Sequence, residues 1–512
     1  MRLRLLPLLL LGAAPAPPAV DLLIRGGMVY PGDAAPFVGD VAVRGDRIVA
    51  VGPHLSVTAR RVMTARGMAV APGFIDPHTH MGEALASPDA GTRLIPAFLL
   101  QGVTTAFIGN DGGGSPDVGA VLRGAQARPV GINYAAYVGF GAVRQAVIGD
   151  VARAPDAGEL TRMRALVADA MCRGAVGLST GLFYAPQSFA TTDEVVALAR
   201  EAGLRGGFYD SHLRDESSYT VGLRAAVAEA LRIGREAQLP VHISHIKALG
   251  VDVEGQSGAV IATIRAARAA GQAVTADQYP WSASGTSLVA SLVPGWAQDG
   301  GRAATLARFD DPAQAVRLRR DMAENLRRRG GADKLLLTEG PDASRTLAQL
   351  AAGGDPLGAA QRAIRRGDPA VASFNQSERD IRAFMAEPWV MTGSDASTGH
   401  PRVFGSFARK WALYVKAGVL TPRQFVARSS TLAADIFGLA ERGHLRVGAF
   451  ADLVVFDPRS YAARATYAQP TLTATGVRTV LVNGVVAVDG GRLTGAAAGR
   501  ALPHAPRPGS CP

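Results

Sequence analysis

Residues 73–395 alternate eight short strand-like runs with stretches of helical character, and no other feature limits the fold as tightly. The runs are GFIDPHTH (73–80), TTAFIGND (104–111), GINYAAYV (131–138), AVGLSTGL (175–182), RGGFYDSH (205–212), PVHISHIK (240–247), QAVTADQYP (272–280) and PWVMTGSD (388–395). Most are apolar and bounded by Gly, Pro or polar residues, as buried strands are. Between most of them lies room for one amphipathic helix. Residues 191–203, TTDEVVALAREAG, are an example, with Asp193 expected as N-cap. Strands alternating with helices build a parallel sheet, and eight repeats favour a barrel. The interval before the eighth run is too long for one helix, so residues about 285–370 read as a mostly helical insertion.

The chain ends have another texture. VDLLIRGGMVYPGDAAPFVGDVAVRGDRIVAVGP near the start alternates β-rich runs with Gly and Asp turns, and so do GHLRVGAFADLVVFDP and VRTVLVNGVVAVDGG near the end. Residues 20–70 and 441–500 are therefore expected to form one small β-sandwich domain, with 71–440 as the barrel and 501–512 as a loose tail. Before them, MRLRLLPLLLLGAAPAPPAV has the basic, apolar, small-residue order of a secretory signal (residues 1–19), with cleavage near Ala14, Ala16 or Ala19. That reading implies export to the periplasm or beyond. No run is long enough to span a bilayer.

Two cysteines are present, Cys172 at the end of an expected helix and Cys511 in the tail. No disulfide is expected between them, and no cysteine metal motif exists. The net charge of +11 raises nucleic acid as a partner. The arginines are nevertheless dispersed, apart from AVRLRRDMAENLRRRGG (315–331), which reads as a solvated helix face. The balance is compatible with a mild pull on anionic substrates, and neither nucleic acid nor stable membrane insertion is expected as a partner.

The polar residues at the strand ends carry the chemistry. His78 and His80 end the first run, Asp111 the second, His212 the fifth and Asp395 the eighth, with His245 near the end of the sixth. Alternation puts residues i and i+2 on one side of an extended segment, so His78 and His80 can grip one ion. On that stretch alone, a solvated polar loop explains the pair equally well. In a barrel, however, the C-terminal strand ends share one rim. Imidazoles and carboxylates are the donors a zinc-like ion accepts. By the same parity His245 and Lys247 share a face, while His242 is expected to face a helix.

PGFIDPHTH, QGVTTAFIGN, GLSTGLFYAP, HLRDE, HISHIK and GSD…HPR, with GHLRVGAFADLVVFD, resemble the N-acyl-D-amino-acid deacylases (D-aminoacylases) of the amidohydrolase superfamily. The resemblance runs in order from about residue 21 to about residue 500. It implies an α/β fold: a (β/α)8 TIM-type barrel with a small β domain from both chain ends and an insertion before the last barrel strand. It also implies a zinc site, one tight and a second weaker. His212 and His245 would hold the tight ion and His78 and His80 the weaker one, with Asp395 as metal-associated general base and acid. Lys247, Tyr279 and Arg402 match groups that hold the substrate's α-carboxylate, and Tyr184 a tyrosine facing the substrate. Two departures stand out. The family usually has Cys where this chain has Asp111, a harder and weaker donor. The segment from Asp395 to Arg402 is also shortened. GLSTGL lacks the lysine with which hydantoinases and dihydroorotases bridge their metals.

The expected activity is hydrolysis of an N-acyl-D-amino acid to a D-amino acid and a carboxylic acid. The alternatives are an exported metallo-dipeptidase acting before a free C-terminal carboxylate, and a non-catalytic binding protein on the same barrel. Association of identical copies is compatible with the sequence.

Overall fold

The computed structural model describes residues 19–511, so the proposed signal segment lies outside the described residues except for Ala19. Both chain ends enter one nine-stranded sheet. The N-terminal part supplies Val20–Val29, Phe37–Arg44, Arg47–Gly52, Ala59–Thr64 and Ala69–Pro72, and the C-terminal part supplies Leu453–Phe456, Val477–Val482, Val485–Asp489 and Arg492–Leu493. The halves join where Ala69–Pro72 pairs antiparallel with Leu453–Phe456. Asn483 and Gly484 both have positive φ, which lets a two-residue turn reverse Val477–Val482 into Val485–Asp489.

Each of the eight expected runs contains a strand, and all pair in parallel. Phe74–Asp76, Val103–Ile108 and Asn133–Ala136 form one set. Val138–Gly139, Gly177–Gly181, Phe208–His212, Val241–Ile243, Val274–Gln278 and Val390–Thr392 form the other. Main-chain bonds tie the two sets on both sides: Tyr137 N–H to the Ile108 carbonyl (2.9 Å), and Asp395 N–H to the His78 carbonyl (3.0 Å). Helices between the strands bury apolar stripes against them in the largest core cluster. Helix Thr192–Leu204 is capped by Thr191, whose hydroxyl accepts from Glu194 N–H at 3.2 Å. Asp193 instead sits in the first turn, because the extended backbone that capping needs falls at Thr191.

The segment between Gln278 and Val390 is largely helical, but it also carries a three-stranded antiparallel sheet that its composition did not announce. Ala283–Ser287 and Leu335–Leu337 flank Ala370–Phe374, above a separate apolar core. Its longest helix, Pro312–Arg328, buries Leu318, Met322 and Leu326 at spacings of four.

The tail departs from expectation. Cys172 and Cys511 form a disulfide across a sequence separation of 339 residues, with Cα atoms 5.7 Å apart. The tail is not loose. Gly499 N–H bonds the Val130 carbonyl, Leu502 N–H that of Tyr134, His504 N–H that of Gly174 and Arg507 N–H that of Arg205. These bonds lead Cys511 along the starts of the parallel strands to the end of helix Ala157–Cys172. Among the described residues, no helix is long and apolar enough to cross a membrane.

Candidate active site

At the opposite ends of the parallel strands lies a cavity of about 380 Å³, a size suited to a small substrate. The alternation read for His78-Thr79-His80 is present. Thr79 turns away and donates from Oγ1 to the Phe107 carbonyl at 2.6 Å, which anchors the segment to the next strand. His78 and His80 lie on the cavity side, ring centroids 5.4 Å apart. Beneath them Asp76 Oδ1 accepts from the Ser394 N–H at 3.0 Å and from the His78 N–H at 3.3 Å, locking the first and last strand ends together.

Asp111, His245 and Asp395 each leave their strands with positive φ, 55°, 34° and 48°. This uncommon conformation is concentrated at functional sites. It aims the three side chains inward, and it breaks the parity used for the sixth run. The strand ends at Ile243, so alternation does not extend to His245 and Lys247. His242 does not serve mainly as a helix contact. Its Nε2 lies 3.0 Å from Asp277 Oδ2 and its Nδ1 2.9 Å from Thr275 Oγ1, and Asp277 lies 3.9 Å from His78. It belongs to a polar network under the cluster.

Asp111 is central. Its carboxylate oxygens lie 3.4 Å from His78 Nε2 and His212 Nδ1, and 3.6 Å from His80 Nε2 and His245 Nε2. The donor atoms of His78, Asp111, His245 and Asp395 lie within 4.8 Å of one another, and so do those of His212, Glu216 and His245. Glu216 escaped the sequence reading. It lies four residues beyond His212, in the quoted HLRDE, and its Oε1 is 3.2 Å from His245 Nδ1 and 2.7 Å from Lys247 Nζ. His80 stands at the rim, its Nε2 3.2 Å from Asp395 Oδ1.

The electrostatics ask for a cation. Burial takes the His78 pKa down to about 3 against the pull of Asp111, leaving the imidazole neutral with its lone pair available. Burial and Lys247 oppose a proton on His245, but Asp395, Glu216 and Asp111 outweigh them and bring its pKa to about 10. Burial would raise Glu216, yet Lys247, His212 and His245 hold it at about 2. Asp111 and Asp395 also stay ionised despite burial, Asp111 through His78 and His212, Asp395 through Arg402 and His245. His78 Nδ1 and Nε2, His212 Nε2 and Asp111 Oδ1 are buried with no hydrogen-bond partner. The neutral His78 imidazole and the ionised Asp111, Asp395 and Glu216 face one small region, and a divalent ion bound there would replace the proton that the carboxylates hold on His245.

The remaining expected residues divide in two. Lys247, Arg402 and Tyr184 line the cavity. Arg402 reaches it despite the short segment before it, and its Nη1 lies 2.7 Å from Asp395 Oδ2. Tyr279 stands behind the wall. Its ring lies 4.9 Å from the Arg402 guanidinium and 5.8 Å from Lys247 Nζ, and its hydroxyl accepts from Gln376 at 2.9 Å.

Comparison with known proteins places this arrangement. A model described as "amidohydrolase family" matches residues 61–488. The chain is 35% identical to D-aminoacylase of Alcaligenes xylosoxydans xylosoxydans, covering 94% of this chain and 97% of that protein. It is also 35% identical to N-acyl-D-glutamate deacylase of the same organism, over 91% and 93% of the two chains. The crystal structure of N-acyl-D-glutamate deacylase from Bordetella bronchiseptica, complexed with zinc and a phosphonate inhibitor that mimics the tetrahedral intermediate, superposes with a TM-score of 0.80. It is 33% identical and covers 95% of this chain and 100% of that one.

Proposed function

Because the chain belongs to the amidohydrolase family, among its N-acyl-D-amino-acid deacylases, we propose that it hydrolyses N-acyl-D-amino acids to a D-amino acid and a carboxylic acid with the help of zinc. One observation carries this reading: His80, His212, His245, Asp111 and Asp395 line one cavity with Lys247 and Arg402, and the buried His78 joins Asp111, His245 and Asp395 at its wall. We read the two parallel sets of strands as one closed eight-stranded barrel, supported by the main-chain bonds that join them on both sides. The nine-stranded sheet is then the small β domain, and the site occupies the end of the barrel where chemistry gathers.

His212 and His245 would hold the tighter ion, His78 and His80 a weaker one, with Asp111 between them and Glu216 beside His212 and His245. A zinc ion there supplies Lewis acidity toward the scissile carbonyl and acidifies a water. Asp395 takes the proton from the attacking water and returns it to the leaving nitrogen. In this structure Arg402 pairs with Asp395 and holds its carboxyl well below the usual range. A substrate α-carboxylate that draws Arg402 to itself loosens that hold and restores basicity at the moment of use. Lys247 and Arg402, backed by Tyr279, fix the α-carboxylate, so the configuration at Cα decides whether the scissile carbonyl reaches the metal. Tyr184 borders the space left for the substrate.

We also read residues 1–19 as an export signal. The Cys172–Cys511 disulfide supports that reading, because such bridges persist in oxidising compartments. The test of the chemistry is the release of D-methionine from N-acetyl-D-methionine by the purified protein and by Asp395→Asn. The variant is expected to keep its metal while kcat falls by about a hundredfold or more. Undiminished turnover would remove Asp395 from the reaction.

A further inference from the structure

Besides Lys247 and Arg402, one further arginine lines the cavity. Arg329 closes helix Pro312–Arg328, and Gly330 and Gly331, with φ of 90° and 108°, reverse the chain directly after it. The reversal tucks this arginine inward. In the same basic run, the side chains of Arg317, Arg319 and Arg320 stay 59%, 51% and 73% exposed, whereas Arg329 is only 2% exposed. Its Nε donates to the Ser291 carbonyl at 3.1 Å, but its Nη1 is enclosed with no partner. Its guanidinium carbon lies 5.7 Å from the centre of the Tyr219 ring, and the buried Tyr219 hydroxyl has this guanidinium as a polar neighbour. Both residues line the cavity. The Tyr219 ring meets Phe183 edge-on at 5.2 Å, and Phe183 stacks on His212 at 6.0 Å, so the pair stands close to the metal cluster.

Lys247 and Arg402 have counter-charges in the cavity, Glu216 for Lys247 and Asp395 for Arg402, each at 2.7 Å. Among the described residues Arg329 has no carboxylate within salt-bridge distance, although Glu339 lines the same cavity. An unpaired buried guanidinium is costly to keep, and its planar fork matches a carboxylate. We propose that Arg329 and Tyr219 form a second anion subsite, and that the preferred substrate is dianionic. It would carry one carboxylate besides the α-carboxylate, on either the amino-acid side chain or the acyl group. This rests on the deacylase reading above.

The test compares kcat/KM for N-acetyl-D-glutamate, N-succinyl-D-norleucine and N-acetyl-D-norleucine. One dianion is expected to exceed the monoanion by about tenfold or more, and which one it is locates the second carboxylate. Arg329→Met should collapse that ratio, and Arg329→Lys should keep part of it. A ratio near one in the wild type, or an unchanged ratio in Arg329→Met, overturns the proposal. The same compounds are scored by the rise in melting temperature they give the metal-stripped protein. If none of the three is hydrolysed, the deacylase reading fails, and this binding arm still decides the subsite. Selective stabilisation by a dianion that disappears in Arg329→Met supports it, and equal shifts refute it. Should Arg329→Met not fold, Tyr219→Phe removes only the hydroxyl and must lower the ratio, and an unchanged ratio there counts equally against the proposal.

Discussion

Replacing Cys511 with Ser should destabilise the whole protein while leaving its site intact. The bridge spans 339 residues, and the chain-entropy relation for a loop of that length gives about 19 cal/mol/K, or about 5.8 kcal/mol at 25 °C. That is an upper figure, because a denatured chain keeps residual structure, so a loss of about 2–5 kcal/mol is expected. The tail's main-chain bonds at Val130, Tyr134, Gly174 and Arg205 remain available to the variant, but nothing covalent then keeps the tail in place. Those contacts lie at the starts of the parallel strands, away from the cavity, so kcat and KM at 25 °C should match the wild type. The assay is guanidinium unfolding followed by tryptophan fluorescence. Cys511→Ser and the reduced wild type should share one midpoint, clearly below that of the oxidised protein. Coincident midpoints for all three would refute the reasoning and leave the bridge without a stabilising role.

Two further outcomes probe the cavity. Asp111→Asn keeps the shape and turn propensity of Asp111 but removes the charge that faces four imidazoles. Bound zinc, measured by elemental analysis, and turnover should fall together, whereas Asp111→Cys should keep zinc and part of the rate; normal zinc and rate in the Asn variant would make Asp111 a turn residue only. Lys247→Met should cost about tenfold or more on substrates with a free α-carboxylate and much less on their primary amides, which have no charge to pair. Equal losses would mean that Lys247 acts through Glu216 and His245 instead.

The sequence was most readable where local rules hold through to the site. The eight runs are strands because short apolar segments between turn residues can do little else, and His78 and His80 share a side because Thr79 bonds the neighbouring strand. Legibility stopped where the chain left its regular elements. At His245 the left-handed backbone cancels the alternation that had pointed His242 at a helix. Glu216 lies on a loop, and only the folded chain brings it to Lys247 and His245. Nothing in the spacing of Cys172 and Cys511 shows that the tail runs beneath the strands to join them. Arg329 looked like one more solvated arginine, because the Gly330–Gly331 reversal that buries it acts in three dimensions.

Turnover of paired enantiomers by zinc-analysed protein tests the central claim most directly. N-acetyl-D-methionine, N-acetyl-D-glutamate and their L-forms would be incubated with the enzyme, and the released amino acids resolved by chiral chromatography. D-amino acids should appear from at least one D-substrate, lost on chelation and regained with zinc, with little or no product from the L-forms. Equal release from both enantiomers, or release indifferent to chelation, would contradict the account.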